Sequence, residues 1–289
     1  MLRGMNHAIH ADADATLCAG PGDTASNSAT RDHDGAEDPA TAFARDGYYV
    51  ARGLFRDQIP QLTRDFDRIC AQVDATGEDS NARWRSAASD AVNAGNLIVQ
   101  HTHQVHFYSE AWMRLWFSAA FLDLAECFLG PDLILHHTKL FRKPAEIGAA
   151  FPTHQDWPYF PTERDHCIAA IVHVSDATDE MGCLRLHPGS HRAGRIADGH
   201  GWGDVGEVQR RYPLATARVI AASAGDVVFF HCHTVHGSPP NRSPRERKTV
   251  LAQLYAGDDR LEQDRPGSYD ARLVLRGWNQ RMTRSRADH

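Results

Sequence analysis

His154-Gln155-Asp156 sets an imidazole and a carboxylate two residues apart, and the later run His231-Cys232-His233-Thr234-Val235-His236-Gly237-Ser238 offers a third ligand. On an extended strand residues i and i+2 project from one face, so the first pair can share a metal ion. His236, from another strand, completes two histidines and one carboxylate. Such a set occupies one face of an octahedral ion and leaves the opposite face open, which suits non-haem Fe(II) enzymes that bind a cosubstrate and O2 together. The chemistry expected of the metal ligands His154, Asp156 and His236 is oxygenation.

Context has to support that expectation, because a chain with 18 histidines will place some near carboxylates by chance. Ala224-Gly225-Asp226 reads as a turn and Val227-Val228-Phe229-Phe230 as a short buried strand, with His236 just beyond it. Pro239-Pro240-Asn241 is a second turn, followed by the strand-like run Thr249-Val250-Leu251-Ala252-Gln253-Leu254-Tyr255. Arg247 leads that run. A planar guanidinium grips a carboxylate with two hydrogen bonds, which lysine cannot reproduce, so the expected guest is a dicarboxylate. His231 and His233 are read as packed strand histidines, since a second metal would need further partners. The same ligands could hold Zn2+ in a hydrolase or a cupin-like binding protein, but neither needs a guanidinium beside the metal.

The chain resembles the phytanoyl-CoA dioxygenase family of Fe(II)/2-oxoglutarate oxygenases over roughly residues 40–260. The resemblance is carried by His137-Thr138, Lys143-Pro144, His154 through Pro161, Gly182-Cys183-Leu184, Pro188-Gly189-Ser190-His191, and His236-Gly237-Ser238 with Asn241 and Arg247. It implies a jelly-roll (double-stranded β-helix, cupin-like) core, iron on His154, Asp156 and His236, and O2 and 2-oxoglutarate as cosubstrates. Arg247 is implied on the distal carboxylate of 2-oxoglutarate, with Ser238 as its helper; Phe151 and Lys139 are further candidates for the cosubstrate site. Hydroxylation is the implied chemistry, because related halogenases have a small residue where this chain has Asp156. Two departures set the chain apart from the member acting on phytanoyl-CoA. Ile168-Ala169-Ala170-Ile171-Val172 lacks that member's tryptophan, and Gln100-His101-Thr102-His103-Gln104 stands where it supplies a lysine.

These residues must be positioned by a larger frame. At 289 residues the chain can bury a full core, and residues 40–289 are expected to form one domain, mainly β with flanking helices. Residues 1–39 are rich in Ala, Asp, Gly, Ser and Thr and are expected to be disordered, having too little apolar surface to offset ordering. Ile59, Leu62, Phe66, Ile69, Cys70 and Val73 recur at helical spacing. A second helix is expected from about Glu110 to Leu129, stopped by Gly130 as a left-handed cap. Asp132 to Phe141 reads as a strand, with Leu135, His137, Lys139 and Phe141 on one face and Ile134, His136, Thr138 and Leu140 on the other. Residues 194–216, with Trp202, form a possible lid. Trp157, Tyr159, Phe160, His103, His137 and Trp202 are candidates for the substrate pocket, although aromatics near a strand end are as often plain core.

Composition excludes other classes. A net charge of −6 without a basic run argues against nucleic acid. No stretch is apolar enough to cross a membrane, and the six cysteines lack paired spacing, so a cytoplasmic monomer or homodimer acting on a small molecule is expected. Arg142, Arg192, Arg195, Arg210 and Arg211 are too dispersed to make the basic mouth that a CoA thioester would favour, and a free metabolite is expected rather than an acyl-CoA ester. Removing the residues before about Pro39 should leave the fold and metal site intact. Thermal melts with and without that segment check this, and a large loss of stability would show that the segment packs as an ordered element.

Overall fold

Asp38 begins the first helix, α1 (Pro39–Asp46): its carboxylate accepts from the Thr41 backbone N–H at 2.9 Å and from the Thr41 hydroxyl at 2.8 Å, and Pro39 fits the first turn. Folded structure thus starts slightly before Ala40, and the capping carboxylate lies inside the expected disordered segment. Gly47, at φ +76°, turns the chain directly into β1 (Tyr48–Ala51). The structure is a computed structural model that describes residues 37–78, 98–196, 206–262 and 270–283. The disorder expected of the amino terminus and the position of Trp202 lie outside the described residues.

The periodic run expected as a helix is α2 (Ile59–Asp74), which buries Leu62, Phe66, Ile69 and Cys70 on one face. Next comes β2 (Gln100–His103). The single helix expected over 110–129 is two, α3 (Glu110–Trp116) and α4 (Ala119–Leu129). Ser118 causes the break. Its backbone is extended, its hydroxyl donates to the Leu115 carbonyl at 2.7 Å, and its own carbonyl receives the first N–H groups of α4. Gly130 has the expected positive φ, 84°, but ψ of −173° takes it out of the left-handed helical region.

The remaining elements are β3 (Leu133–Lys143), β4 (Phe151–His154), β5 (Cys167–His173), β6 (Leu184–Leu186), α5 (Gly206–Arg211), β7 (Arg218–Ile220), β8 (Val227–His231), β9 (His236–Ser238), β10 (Arg247–Ala256) and β11 (Leu273–Arg276). Among the described residues they form two antiparallel sheets. The larger runs β1-β8-β5-β10-β3-β11, with β2 also on β3; the smaller runs β4-β9-β6-β7. This is a jelly-roll core. Helices cover one face of the larger sheet, where Phe66, Trp112, Trp116, Phe121 and Phe229 are packed with Val250, Ala252 and Leu254. Its other face meets the smaller sheet through Tyr48, Val50, Ala169, Val228, Phe230, Leu184, Leu186 and Ile220. No described helix is long and apolar enough to cross a membrane.

β3 departs from regular alternation. Leu135 pairs with Leu254 and His137 with Gln253, so His136 is an extra residue in a bulge. As a result Leu133, Leu135 and Leu140 join the core beneath the helices. His137, Lys139, Phe141 and Lys143 instead pair with Gln253, Leu251, Thr249 and Arg247 on the inner face. The expected grouping of Leu135 with His137, Lys139 and Phe141 is therefore wrong for Leu135.

Asp226 ties the turn before β8 to the end of β1. Its buried carboxylate accepts from Arg52 at 2.8 Å and from the backbone N–H groups of Gly53 and Ser223 at 2.7 and 2.9 Å. Burial opposes its ionisation, but the hydrogen bonds from Arg52, Ser223 and Gly53 prevail and hold it below the ordinary carboxylate range. A lowered folded-state pKa gives stability that is present above the unfolded value and disappears as pH falls through the folded value. Asp226→Asn should therefore cost about 1–3 kcal/mol at neutral pH. Urea melts at several pH values check this: the gap from the parent should narrow below about pH 4, and a pH-independent gap would contradict the ionic reading.

Candidate metal centre

β4 and β9 pair with His154 directly opposite His236, and their ring centroids are 4.3 Å apart. Each imidazole has one nitrogen committed to a backbone carbonyl: His154 Nδ1 to Pro152 at 2.8 Å and His236 Nδ1 to Thr234 at 2.9 Å. A carbonyl only accepts, so both Nδ1 atoms carry the proton and both Nε2 lone pairs are left for a ligand. Both Nε2 atoms face Asp156 Oδ1, at 3.7 Å from His154 and 3.5 Å from His236. The three ligand atoms lie within 4.8 Å of one another, and all three residues are buried. Burial, then the neighbouring His236, push the His154 pKa well down, so it has no proton to lose before binding a cation.

The His-x-Asp pair does not share one strand, contrary to expectation. β4 ends at His154, and Asp156 has helical backbone angles, φ −84° and ψ −30°. The carboxylate reaches the histidines because the chain turns there: the Asp156 N–H donates to the Cys232 carbonyl at 2.9 Å. Gln155 fixes the turn. Its amide donates to the Gly194 and His233 carbonyls and accepts from Trp157 Nε1 and the Ile196 N–H. Gln253, from the middle of β10, donates to Asp156 Oδ2 at 2.7 Å and so leaves Oδ1 toward the histidines. Sequence reasoning did not select Gln253. The available signal was a polar residue on the same strand face as Arg247, inside an apolar run.

A cavity of about 100 Å³ adjoins the triad and is lined by Phe141, Phe151, Ser238, Arg247, Thr249 and Leu251 among others. Arg247 is buried and donates to the Gly182 carbonyl, and among the described residues its buried Nε has no partner. Lys143 stands opposite it in register, fully buried, and donates to Ser238 Oγ at 2.6 Å and to the Pro239 carbonyl at 2.7 Å. Burial pushes the Arg247 pKa down to about 10, and burial with the nearby Arg247 pushes Lys143 well below its ordinary value. Two buried cations without a carboxylate are costly unless an anion joins them. A carboxylate-bearing guest fits this wall, and the imidazole and carboxylate donors fit Fe(II).

The other expected residues divide. Ser238 and Phe151 line the cavity, but Lys139 lies away from Arg247, and Lys143 is the lysine of that wall. Position 143 has the inward parity of 139 but faces Arg247 rather than Leu251. Trp157 and Phe160 do not line this cavity; they pack with Ile134, Cys167, Cys232 and Tyr255 in a separate buried cluster. Tyr159 packs edge-on against His154 at 6.2 Å. His103 and His137 lie on the inner face beside Lys139, their rings 5.9 Å apart. His231 and His233 stay out of the triad: the His231 ring accepts from the His233 N–H at 3.0 Å, and His233 Nε2 is 3.3 Å from Asp165. The described flanks of the 194–216 insert are tied down through Gln155, and through Arg195 to Asp165 and Glu262.

A jelly roll with this triad at the edge of its smaller sheet has the fold of the Fe(II)/2-oxoglutarate oxygenases. The chain belongs to the phytanoyl-CoA dioxygenase (PhyH) family, whose model matches residues 43–249. It is 33% identical over 230 residues to human peroxisomal phytanoyl-CoA dioxygenase, covering 75% of this chain and 67% of that protein. It is 28% identical to a probable alpha-ketoglutarate-dependent hypophosphite dioxygenase of Stutzerimonas stutzeri over 56% of this chain, and spans only 58% of that relative's length. EctD from S. alaskensis, solved with bound Fe, superposes with a TM-score of 0.64 at 26% identity over 82% of this chain and 85% of that one.

His154→Ala, Asp156→Ala and His236→Ala should each weaken Fe(II) binding at least about a hundredfold, while His231→Ala and His233→Ala retain it. Gln253→Leu should weaken it about 10- to 100-fold, the usual effect of losing a residue that orients a ligand. Equilibrium Fe(II) titration under argon checks the series; iron kept in the His236 variant but lost in the His233 variant would show the wrong histidine was chosen.

Proposed function

We propose that the protein is an Fe(II)/2-oxoglutarate-dependent dioxygenase that hydroxylates a C–H bond of a small free metabolite, with succinate and CO2 as co-products. The observation that carries this reading is the pairing of a buried His-Asp-His set with a cavity lined by Arg247 and by Ser238, whose hydroxyl the buried Lys143 holds from behind. His154, Asp156 and His236 hold the metal, and Arg247 with Ser238 holds the distal carboxylate of 2-oxoglutarate. Bound iron, 2-oxoglutarate and O2 supply the oxidising power for C–H hydroxylation. The chain fixes the histidine tautomers through Pro152 and Thr234 and aims one Asp156 oxygen through Gln253. Phe141, Phe151 and Leu251 keep the interior apolar and limit water. A zinc hydrolase would accept the same ligands but has no use for two buried cations beside them.

A free substrate is favoured over a CoA thioester by the arginines. Arg142 is paired with Asp74, Arg195 with Asp165 and Glu262, and Arg192 donates to the Arg45 carbonyl. They are engaged across the surface rather than gathered for several phosphates. The S. alaskensis EctD structures, with bound Fe and with 2-oxoglutarate and 5-hydroxyectoine, support the same cofactors and a small substrate.

Arg247→Lys keeps the charge but loses the two-pronged grip. The apparent KM for 2-oxoglutarate should rise about tenfold or more, as expected from losing charged hydrogen bonds worth about 1.5–3 kcal/mol, with iron affinity little changed. Succinate release against 2-oxoglutarate concentration measures this. Unchanged cosubstrate dependence would move the anchor elsewhere, Lys143 being the next candidate.

A further inference from the structure

A third cation, Lys139, lies on the inner face, away from Arg247 and Lys143. Lys139 pairs with Leu251 of β10 on one side and His103 of β2 on the other, and Leu251 lines the cavity beside the triad. Its ammonium sits 4.9 Å from the centroid of Phe141, another cavity-lining ring, so the side chain reaches inward. Among the described residues it makes neither a hydrogen bond nor an ion pair. His137, two residues along the same face, and His103 flank it with rings 5.9 Å apart, and Asp156 is the acidic group whose field it feels.

We propose that this face, with Lys139 at its centre and His103 and His137 beside it, receives a carboxylate of the substrate to be oxidised. The inference rests on the oxygenase reading, because it assigns the Arg247 end of the interior to the cosubstrate and this end to the substrate. Charge balance supports it. A divalent ion on the triad neutralises Asp156, so Lys139 then has no negative neighbour. Burial holds His137 well below its usual value, so it is neutral near pH 7 and adds an N–H donor rather than charge. One ammonium with a neutral donor matches a monoanion, and a carboxylate fits it better than a doubly charged phosphate. Phe141 and Leu251 provide apolar contact for the rest of a small acid.

Benzoate and its uncharged isostere benzamide are the probes, titrated calorimetrically into the full chain, metal-free and loaded with Fe(II) and 2-oxoglutarate under argon. Benzoate should bind to both forms, more tightly to the loaded one in which Asp156 is neutralised, and benzamide at least about tenfold more weakly. Lys139→Met should lose at least about tenfold in benzoate affinity, Lys139→Arg should recover most of it, and Arg247→Met should keep it. Absence of benzoate binding, equal binding of benzamide, or loss in the Arg247 variant but not in the Lys139 variant would overturn the proposal. Failure of the chain to take up iron with Lys139-dependent benzoate binding retained would sink the oxygenase reading and support the carboxylate site.

Discussion

The pairing of β4 with β9 is the constraint on which the metal centre depends. A one-residue slip would turn His154 or His236 to the opposite face and separate the imidazoles. Several contacts hold the register. A side chain at Gly237 would meet the Phe151 carbonyl oxygen at 2.8 Å and the Pro152 carbonyl at 3.1 Å, so only glycine lets the strands approach. On the other edge of β9, His236 pairs with Leu186 and Gly237 with Arg185. Just before the strand, the Val235 N–H donates to Ser190 Oγ and the Thr234 hydroxyl to the Gly47 carbonyl. The glycine that ends the first helix thereby helps place the last metal ligand.

β10 shows how one strand serves both the fold and the site. Val250, Ala252 and Leu254 face the helical layer, while Arg247, Thr249, Leu251 and Gln253 face inward. The outward set contributes burial at about 25 cal/mol per Å² of apolar surface, which helps the fold tolerate a polar interior. The inward set carries the cost, since a buried charge without its partner destabilises by several kcal/mol against a total stability of about 5–15 kcal/mol. Such an arrangement is tolerable when a charged guest completes it.

Residue types and their order were legible in the sequence, although His154 and Asp156 meet through a turn rather than along one strand. His154, Asp156 and His236 come together as expected, Arg247 leads its strand, and Asp226 follows the glycine turn. What could not be read depends on register or on tertiary hydrogen bonds. Lys143 matters because it stands opposite Arg247, and Gln253 because the loop after β4 brings Asp156 to it. The break at Ser118 competes with a continuous apolar pattern, and a pattern does not reveal that a hydroxyl will satisfy the Leu115 carbonyl. In the sequence Trp157 reads equally as pocket wall or plain core. Its indole bond to Gln155 and the Arg195 guanidinium 4.6 Å from its ring assign it to the loop that holds Asp156 rather than to the cavity.

The bulge at His136 has the widest consequence of any single residue in the larger sheet. Leu135 faces the helical core, and a regular strand would send every second residue after it to the same side. Lys139, Phe141 and Lys143 would then enter the apolar layer beneath the helices, with Leu140 in the cavity. That register would bury two ammonium groups among Trp112, Trp116 and Phe121 and would remove the lysine that holds Ser238. One inserted residue exchanges the faces, so the amino-terminal half of β3 packs the core and its carboxy-terminal half forms the charged wall. The bulge makes an apolar core and a cationic cavity compatible within the same strand.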